Sequence, residues 1–188
     1  MKFVIVTGMS GAGKSRAVEA MEDIGFYCVD NMPLTFLPKF AEICFSSQGK
    51  MSKVAIVTDI RGGQSFDKLL EELHALKKTG LNYEIVFIEA NDETIIRRYK
   101  ETRRKHPLAD AMSGSIHELI AFERKVLTPL LEEADVVINT TYLTSTQLKE
   151  QMDKIFIAVF ELSSRQSWFL SIAKISCAGW PVCLLPSK

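Results

Sequence analysis

The chain has 188 residues, 47% of them hydrophobic and 24% charged. This is an ordinary balance for one globular domain, and a chain of this size buries roughly two-thirds of its unfolded surface without needing covalent staples. Lys plus Arg and Asp plus Glu both number 23, so bulk charge draws it to neither nucleic acid nor a membrane, and any such affinity has to come from a local patch.

Cys28, Cys44, Cys177 and Cys183 form no C-x-x-C pair and no zinc-finger spacing with histidine, which suits buried or idle thiols in a reducing cytoplasm. The apolar start, Met1 to Val6, is too short for a signal peptide and is interrupted by Gly8 and Ser10. No run approaches the roughly 18 apolar residues of a membrane span. The expectation is a cytoplasmic protein without a membrane partner.

In chain order, the first apolar run, Lys2–Thr7, is rich in β-branched residues and predicts a buried parallel strand. Helical spacing follows over Lys14–Ile24, then a weaker strand, Gly25–Val29, ending at Asp30-Asn31. Pro33 and Pro38 punctuate the connection around a helix at Leu34–Phe45. Strand Val54–Asp59, helix Phe66–Lys78, strand Glu84–Glu89 and helix Asp92–Arg104 come next. Ser113-Gly114-Ser115 offers a cap to a long helix, Ser115–Glu132, which precedes strand Asp135–Asn139 and helix Thr146–Phe156. Alternation of this kind predicts repeated βαβ crossovers, hence an α/β fold with about five parallel strands and helices on both faces. Beyond about Phe160 the period weakens, which divides the chain into a domain at 1–160 and an atypical tail at 161–188.

Gly8-Met9-Ser10-Gly11-Ala12-Gly13-Lys14-Ser15 fits G-x-x-x-x-G-K-[ST] without deviation and lies between a predicted strand and a predicted helix. Chance alone produces the pattern in on the order of one chain in a hundred of this length, before that context is required. The glycines let successive backbone N–H groups converge on phosphate oxygens, and the helix start adds its unpaired amides and positive dipole. Lys14 places a mobile charge on the β- and γ-phosphates, and the Ser15 hydroxyl ligates Mg²⁺. The expected ligand is a nucleoside triphosphate with magnesium, on a P-loop NTPase fold of the nucleoside-kinase type.

Such a loop needs a second metal partner from a neighbouring strand. Asp59 ends the apolar strand Val54–Asp59, where the carboxyl ends of parallel strands line the ligand crevice, and is expected to hold Mg²⁺ directly or through water. Arg61 and Gly62 follow within reach of the same nucleotide. Asp30 competes for the role; Asp59 ranks first because its strand is longer and more apolar.

The stretch from Arg97 to Pro107 carries six basic side chains, Arg97, Arg98, Lys100, Arg103, Arg104 and Lys105, in eleven positions. Helical spacing puts Arg97, Lys100 or Glu101, and Arg104 on one face, with Arg98 and Arg103 around the side. Pro107 turns His106 out of helical geometry. Three readings stay open: a lid that closes on the triphosphate, with Arg103 and Arg104 stabilising developing charge; an RNA phosphate-backbone patch; or a solvated face balanced by Glu93 and Glu101. His74, His106 and His117 show no metal-ligand spacing, and His74 and His117 read as surface residues of helices. Asn139-Thr140-Thr141 ends the last strand, a place for either a nucleobase contact or a plain turn.

Together the blocks Gly8–Ser15, Gly25 to Pro33, Asp59-Ile60-Arg61, and Arg97-Arg98-Tyr99 through Thr102 to Leu108 resemble the RapZ/YvcJ family of bacterial nucleotide-binding proteins, from the N-terminus to about Ile157. One branch of that family acts as an RNase adapter for small regulatory RNAs. The resemblance implies a kinase-like P-loop fold and hydrolysis of ATP and GTP. It places an ATP site over Gly8, Met9, Ser10, Gly11, Ala12, Gly13, Lys14 and Ser15, and a GTP-assigned stretch at Asp59, Ile60, Arg61 and Gly62. Gly62 is a departure, since the family often has Asn there. It also implies an RNA or protein partner centred on a second, C-terminal domain. Glu161–Lys188 does not look like the start of that domain, so RNA binding is not carried over. Lys14, Asp59, Arg103 and Arg104 are the expected catalytic set, and Ser15 and Asp59 the metal ligands. The leading expectation is a regulatory NTPase. The alternatives are a small-molecule kinase of the same fold, with Asp30 and the arginines gripping an acceptor, and a non-enzymatic nucleotide- or RNA-binding adapter. Homo-oligomerisation stays open.

Overall fold

The computed structural model describes residues 2–32, 36–46, 51–58, 66–78, 80 and 82–163. Their elements run β1 (Lys2–Gly8), α1 (Lys14–Asp23), β2 (Tyr27–Val29), α2 (Leu37–Ser46), β3 (Lys53–Val57), α3 (Phe66–Lys78), β4 (Glu84–Glu89), α4 (Asp92–Thr102), α5 (Ile116–Glu132), β5 (Val136–Asn139) and α6 (Ser145–Ser163). The five strands form one sheet in the order β2-β3-β1-β4-β5, and every pairing is parallel. The expected α/β architecture is the observed one.

The apolar runs explain the layering. Phe3, Val4, Ile5 and Val6 on β1, and Ile85, Val86, Phe87 and Ile88 on β4, are all buried although neighbours point to opposite faces. A strand loses its alternation in this way only when helices cover both sides of the sheet. On one side α1 packs against α6, with Phe26 meeting Phe156 edge-on at 5.4 Å and Lys149 paired to Asp23 across the seam.

Element ends follow local chemistry. The Asn91 side chain caps α4 by accepting from Thr94 N at 2.9 Å. Ser115 and Glu118 form a reciprocal capping box at the start of α5, and the Ser115 amide and hydroxyl hold the Glu118 carboxyl below its usual range. Pro38 lies in the first turn of α2, where its missing N–H costs nothing. One boundary differs from expectation: α4 stops at Thr102 rather than Arg104, because Arg103 takes a left-handed conformation (φ 52°) that ends the helix before Pro107 is reached. Helix α6 runs on to Ser163 across the expected boundary at 160, and the rest of the expected tail, with Cys177 and Cys183, lies outside the described residues.

Strand β1 is central. The chain leaves it at Gly8, at the point where the order reverses between β3 on one side and β4 on the other, and such switch points open a crevice beyond the carboxyl ends of the strands. Gly8 is required there for a steric reason. With φ 131° it lies so close to β4 that an added Cβ would stand 2.0 Å from the Ile88 carbonyl oxygen, and Met9 N donates to that same oxygen at 3.0 Å.

Gly8→Ala is therefore expected to destabilise the fold by about 3 kcal/mol, from overpacking and backbone strain together. Gly25→Ala, at φ 86° but with nothing within 4 Å of the added carbon, is expected to cost about 1 kcal/mol, the left-handed penalty alone. Urea denaturation of both variants measures the difference, and equal costs would contradict the close approach of β1 to β4.

Candidate functional site

Three glycines with positive φ, Gly8 (131°), Gly11 (81°) and Gly13 (111°), curl the segment between β1 and α1. Gly13 is the N-cap of α1 and offers no side-chain acceptor to the first turn of that helix. Ordinary helix starts in this chain, at Asn91 and Ser115, fill that role with a side chain. A helix start without a side-chain cap is a common place for an anion to bind.

Beside this loop lies a cleft of about 370 Å³. Residues from Ser10 to Arg16 form one wall; Arg98, Arg104 and Lys105 form another; Thr140 and Thr144 close the end near β5. Lys14 is largely buried, its Nζ donating to the carbonyls of Gly8 at 2.7 Å and Met9 at 3.1 Å. The Ser15 side chain is exposed on the cleft wall.

Arg98 braces the loop from the opposite wall of the cleft. Its Nη1 donates to the carbonyls of Gly11 (3.2 Å) and Ala12 (3.0 Å) and to Thr140 Oγ1 (3.0 Å), while Nη2 donates to the Thr140 carbonyl (2.9 Å). Thr140 Oγ1 in turn donates to the Ala12 carbonyl. Burial, reinforced by the neighbouring charge of Arg97 and opposed by Glu101, lowers the Arg98 pKa. A guanidinium starts so far above neutrality that it stays charged. Sequence spacing put Arg98 at the side of the basic stretch; the signal for its inward position was Thr94 and Ile95, both buried, four and three residues before it on the same face.

The other expected site residues separate. Arg104 stands on the cleft wall, whereas Arg103, exposed in its left-handed conformation, is not part of it. Asp59, Ile60, Arg61 and Gly62 lie outside the described residues. The described strand that precedes them in sequence, β3, is hydrogen-bonded directly to β1, and Thr58 N donates to the Val6 carbonyl at 3.0 Å. Asp30 follows β2, one strand farther out, and is exposed away from the cleft wall.

For magnesium, two hydroxyls bear on the fit: Ser15 on the cleft, and Thr58 Oγ1, buried at the end of β3 with no hydrogen-bond partner among the described residues. No cluster of three His, Cys, Asp or Glu suited to a metal occurs among the described residues. Magnesium is commonly held by one or two protein oxygens together with substrate phosphates, and the Ser15 hydroxyl supplies one such oxygen on the cleft.

Two residues that spacing did not single out as site residues lie at the back of the loop. Glu123, fully buried, accepts from Ser10 N at 3.0 Å and pairs with the buried His106 at 3.1 Å. The signal for Glu123 was a charge on the apolar stripe Leu119, Ile120, Leu127, Leu130 of α5. His106 carried none beyond its place before Pro107.

Residues 1–159 match the model of the RapZ-like N-terminal domain. The chain belongs to that family. A nucleotide-binding protein of Alkaliphilus oremlandii (strain OhILAs) is 54% identical over 157 residues, covering 84% of this chain and 53% of the relative. One from Clostridium botulinum (strain Hall) is 51% identical over 156 residues, covering 83% and 52%. The chain thus spans about half the length of the curated relatives it matches. Among solved structures, shikimate kinases of Bacteroides thetaiotaomicron (TM-score 0.54, 16% identity, 85% of this chain and 98% of that one) and Acinetobacter baumannii (TM-score 0.55, 14%, 85% and 94%) share the fold. The family member described here therefore has a P-loop kinase fold. Among the described residues no helix is long and apolar enough to cross a membrane.

Arg98→Lys is expected to cost about 2 kcal/mol of stability, since a single ammonium cannot reproduce the planar fork that spans Gly11, Ala12 and Thr140. Denaturant unfolding reads it directly; a cost below about 0.5 kcal/mol, the level of an ordinary surface change, would show that the brace carries no weight.

Proposed function

We propose that this chain binds ATP or GTP with magnesium in the cleft beside Gly8–Ser15 and hydrolyses it as a regulatory P-loop NTPase. The observation that carries the reading is the uncapped start of α1 behind three left-handed glycines, facing a cleft walled by Arg98, Arg104 and Lys105. Backbone N–H groups and a helix dipole converge there with cations, which is what a polyphosphate requires. The names of the relatives, nucleotide-binding proteins, support the same ligand class.

Lys14 leaves its two carbonyl partners and swings to the β- and γ-phosphates, exchanging neutral acceptors for anionic ones. Ser15 and Asp59 would hold the magnesium ion, which would supply positive charge against the phosphoryl oxygens. Ile60, Arg61 and Gly62 extend the nucleotide contact, in the stretch assigned to GTP. Arg104 stabilises the transition state from the cleft wall, with Arg103 joining only when the segment closes. A reducing, cytoplasmic setting suits the free thiols: burial, aided by Glu22, raises the Cys28 pKa to about 11, which keeps that sulfur protonated and unreactive.

Phosphate release from ATP and from GTP, with and without Mg²⁺ and without any acceptor, tests the reading. Turnover that appears only with an added metabolite would convert it to a small-molecule kinase. Lys14→Ala is expected to weaken triphosphate binding by about a hundredfold, the loss of one charge-assisted contact in a confined site; equal affinities would refute the loop assignment. Arg104→Ala should lower kcat about tenfold or more with little change in affinity, and Arg103→Ala less than threefold, because only the first stands on the wall. Asp59→Asn should abolish the magnesium response while Asp30→Asn preserves it.

A further inference from the structure

Glu123 lies on the face of α5 that buries Leu119, Ile120, Leu127 and Leu130. A carboxylate in such surroundings is costly unless its oxygens accept hydrogen bonds, and both do. Oε1 takes the backbone N–H of Ser10, inside the phosphate loop, and Oε2 takes His106 Nε2. The Leu108 amide donates to His106 Nδ1 at 3.3 Å. That arrangement fits an Nε2–H directed at Glu123.

A second tie runs alongside. The Tyr99 ring lies 5.3 Å from the His106 ring, centre to centre, and its Cε2 stands 3.1 Å from where a Cβ on Gly11 would be. The loop is thus tied to His106 through Ser10 and Glu123, and the Tyr99 ring lies near both Gly11 and His106. Arg104 and Lys105, two of the cations on the cleft wall, immediately precede His106 in the chain. Neither bond of Glu123 serves its own helix, so packing of α5 does not explain them.

We propose that Glu123 and His106 are positioning residues that tie the phosphate loop to the Arg104–Lys105 segment, so that the shape of the anion cradle and the placement of its cations form one state. Binding at either side then favours order at the other, as linkage demands. This rests on the triphosphate reading of the cleft only for what the tie serves, not for the tie itself.

Backbone amide exchange in nucleotide-free protein tests the tie. His106→Ala is expected to raise exchange about tenfold over both Ser10–Lys14 and Arg103–Leu108, the signature of one opening unit. His106→Gln, whose amide N–H₂ can reach the same carboxylate oxygen, should restore both. Should His106→Ala fail to fold, Glu123→Gln serves instead, since its amide turns a donor onto Ser10 N–H or His106 Nε2–H and should loosen the same two segments. Magnesium-ATP turnover then adds a cycle: Arg104→Ala should cost about tenfold in the wild type and in His106→Gln, but less than about twofold in His106→Ala, where the arginine is already unplaced. Exchange rising in one segment alone, no rescue by glutamine, or an equal Arg104 penalty in all three backgrounds overturns the proposal. Joint exchange with ATP binding indifferent to Lys14→Ala would leave the tie standing and overturn the triphosphate reading instead.

Discussion

The structure depends most on how the chain leaves its central strand. At Gly8 the backbone runs so near β4 that no side chain fits, and the Met9 amide bonds to the Ile88 carbonyl as the turn begins. A curl at that point needs left-handed conformations, which only glycine adopts cheaply, and they fall at Gly8, Gly11 and Gly13. Because β1 lies between β3 and β4, the curl opens over the switch point of the sheet rather than against a neighbouring strand.

A loop of exposed backbone would wander without support, and this one is supported from three directions. Arg98 and Thr140 hold its carbonyls at Gly11 and Ala12, Ile88 holds the start, and Glu123 holds Ser10 from behind. The polarity is consistent: side-chain cations and a hydroxyl take carbonyls, a carboxylate and a carbonyl take amides, and the cap of α1 has no side-chain acceptor of its own. Preorganisation of this kind means that an anion need not meet the cost of ordering its own cradle. Lys14 Nζ lies on two carbonyls of the same loop, those of Gly8 and Met9.

Sequence patterns reached the sheet and the loop well. Strand β4 and helix α3 have the bounds that periodicity predicts, and the capping box at Ser115 stands where Ser113-Gly114-Ser115 pointed. These features are local: burial on both faces writes a continuous apolar run, and a cap writes its serine and glutamate three residues apart. The basic stretch was legible only as composition. Spacing extended α4 to Arg104, grouped Arg103 with it, and left Arg98 at the side, whereas Arg103 ends the helix and Arg98 turns inward.

What the amino-acid sequence determined by itself is therefore the α/β class, the parallel sheet and a glycine-rich turn at its front, because each is encoded by residues within a few positions of one another. What only the tertiary structure decided is which distant groups complete the site. Ser10 and Glu123 are 113 positions apart, Ala12 and Thr140 are 128, and Arg98 reaches Gly11 across 87. No period or motif spans such separations. The partners meet because the strand order brings β1 beside β4, and β4 beside β5, with α5 behind the loop, and a buried carboxylate then bonds to whichever donors that packing presents.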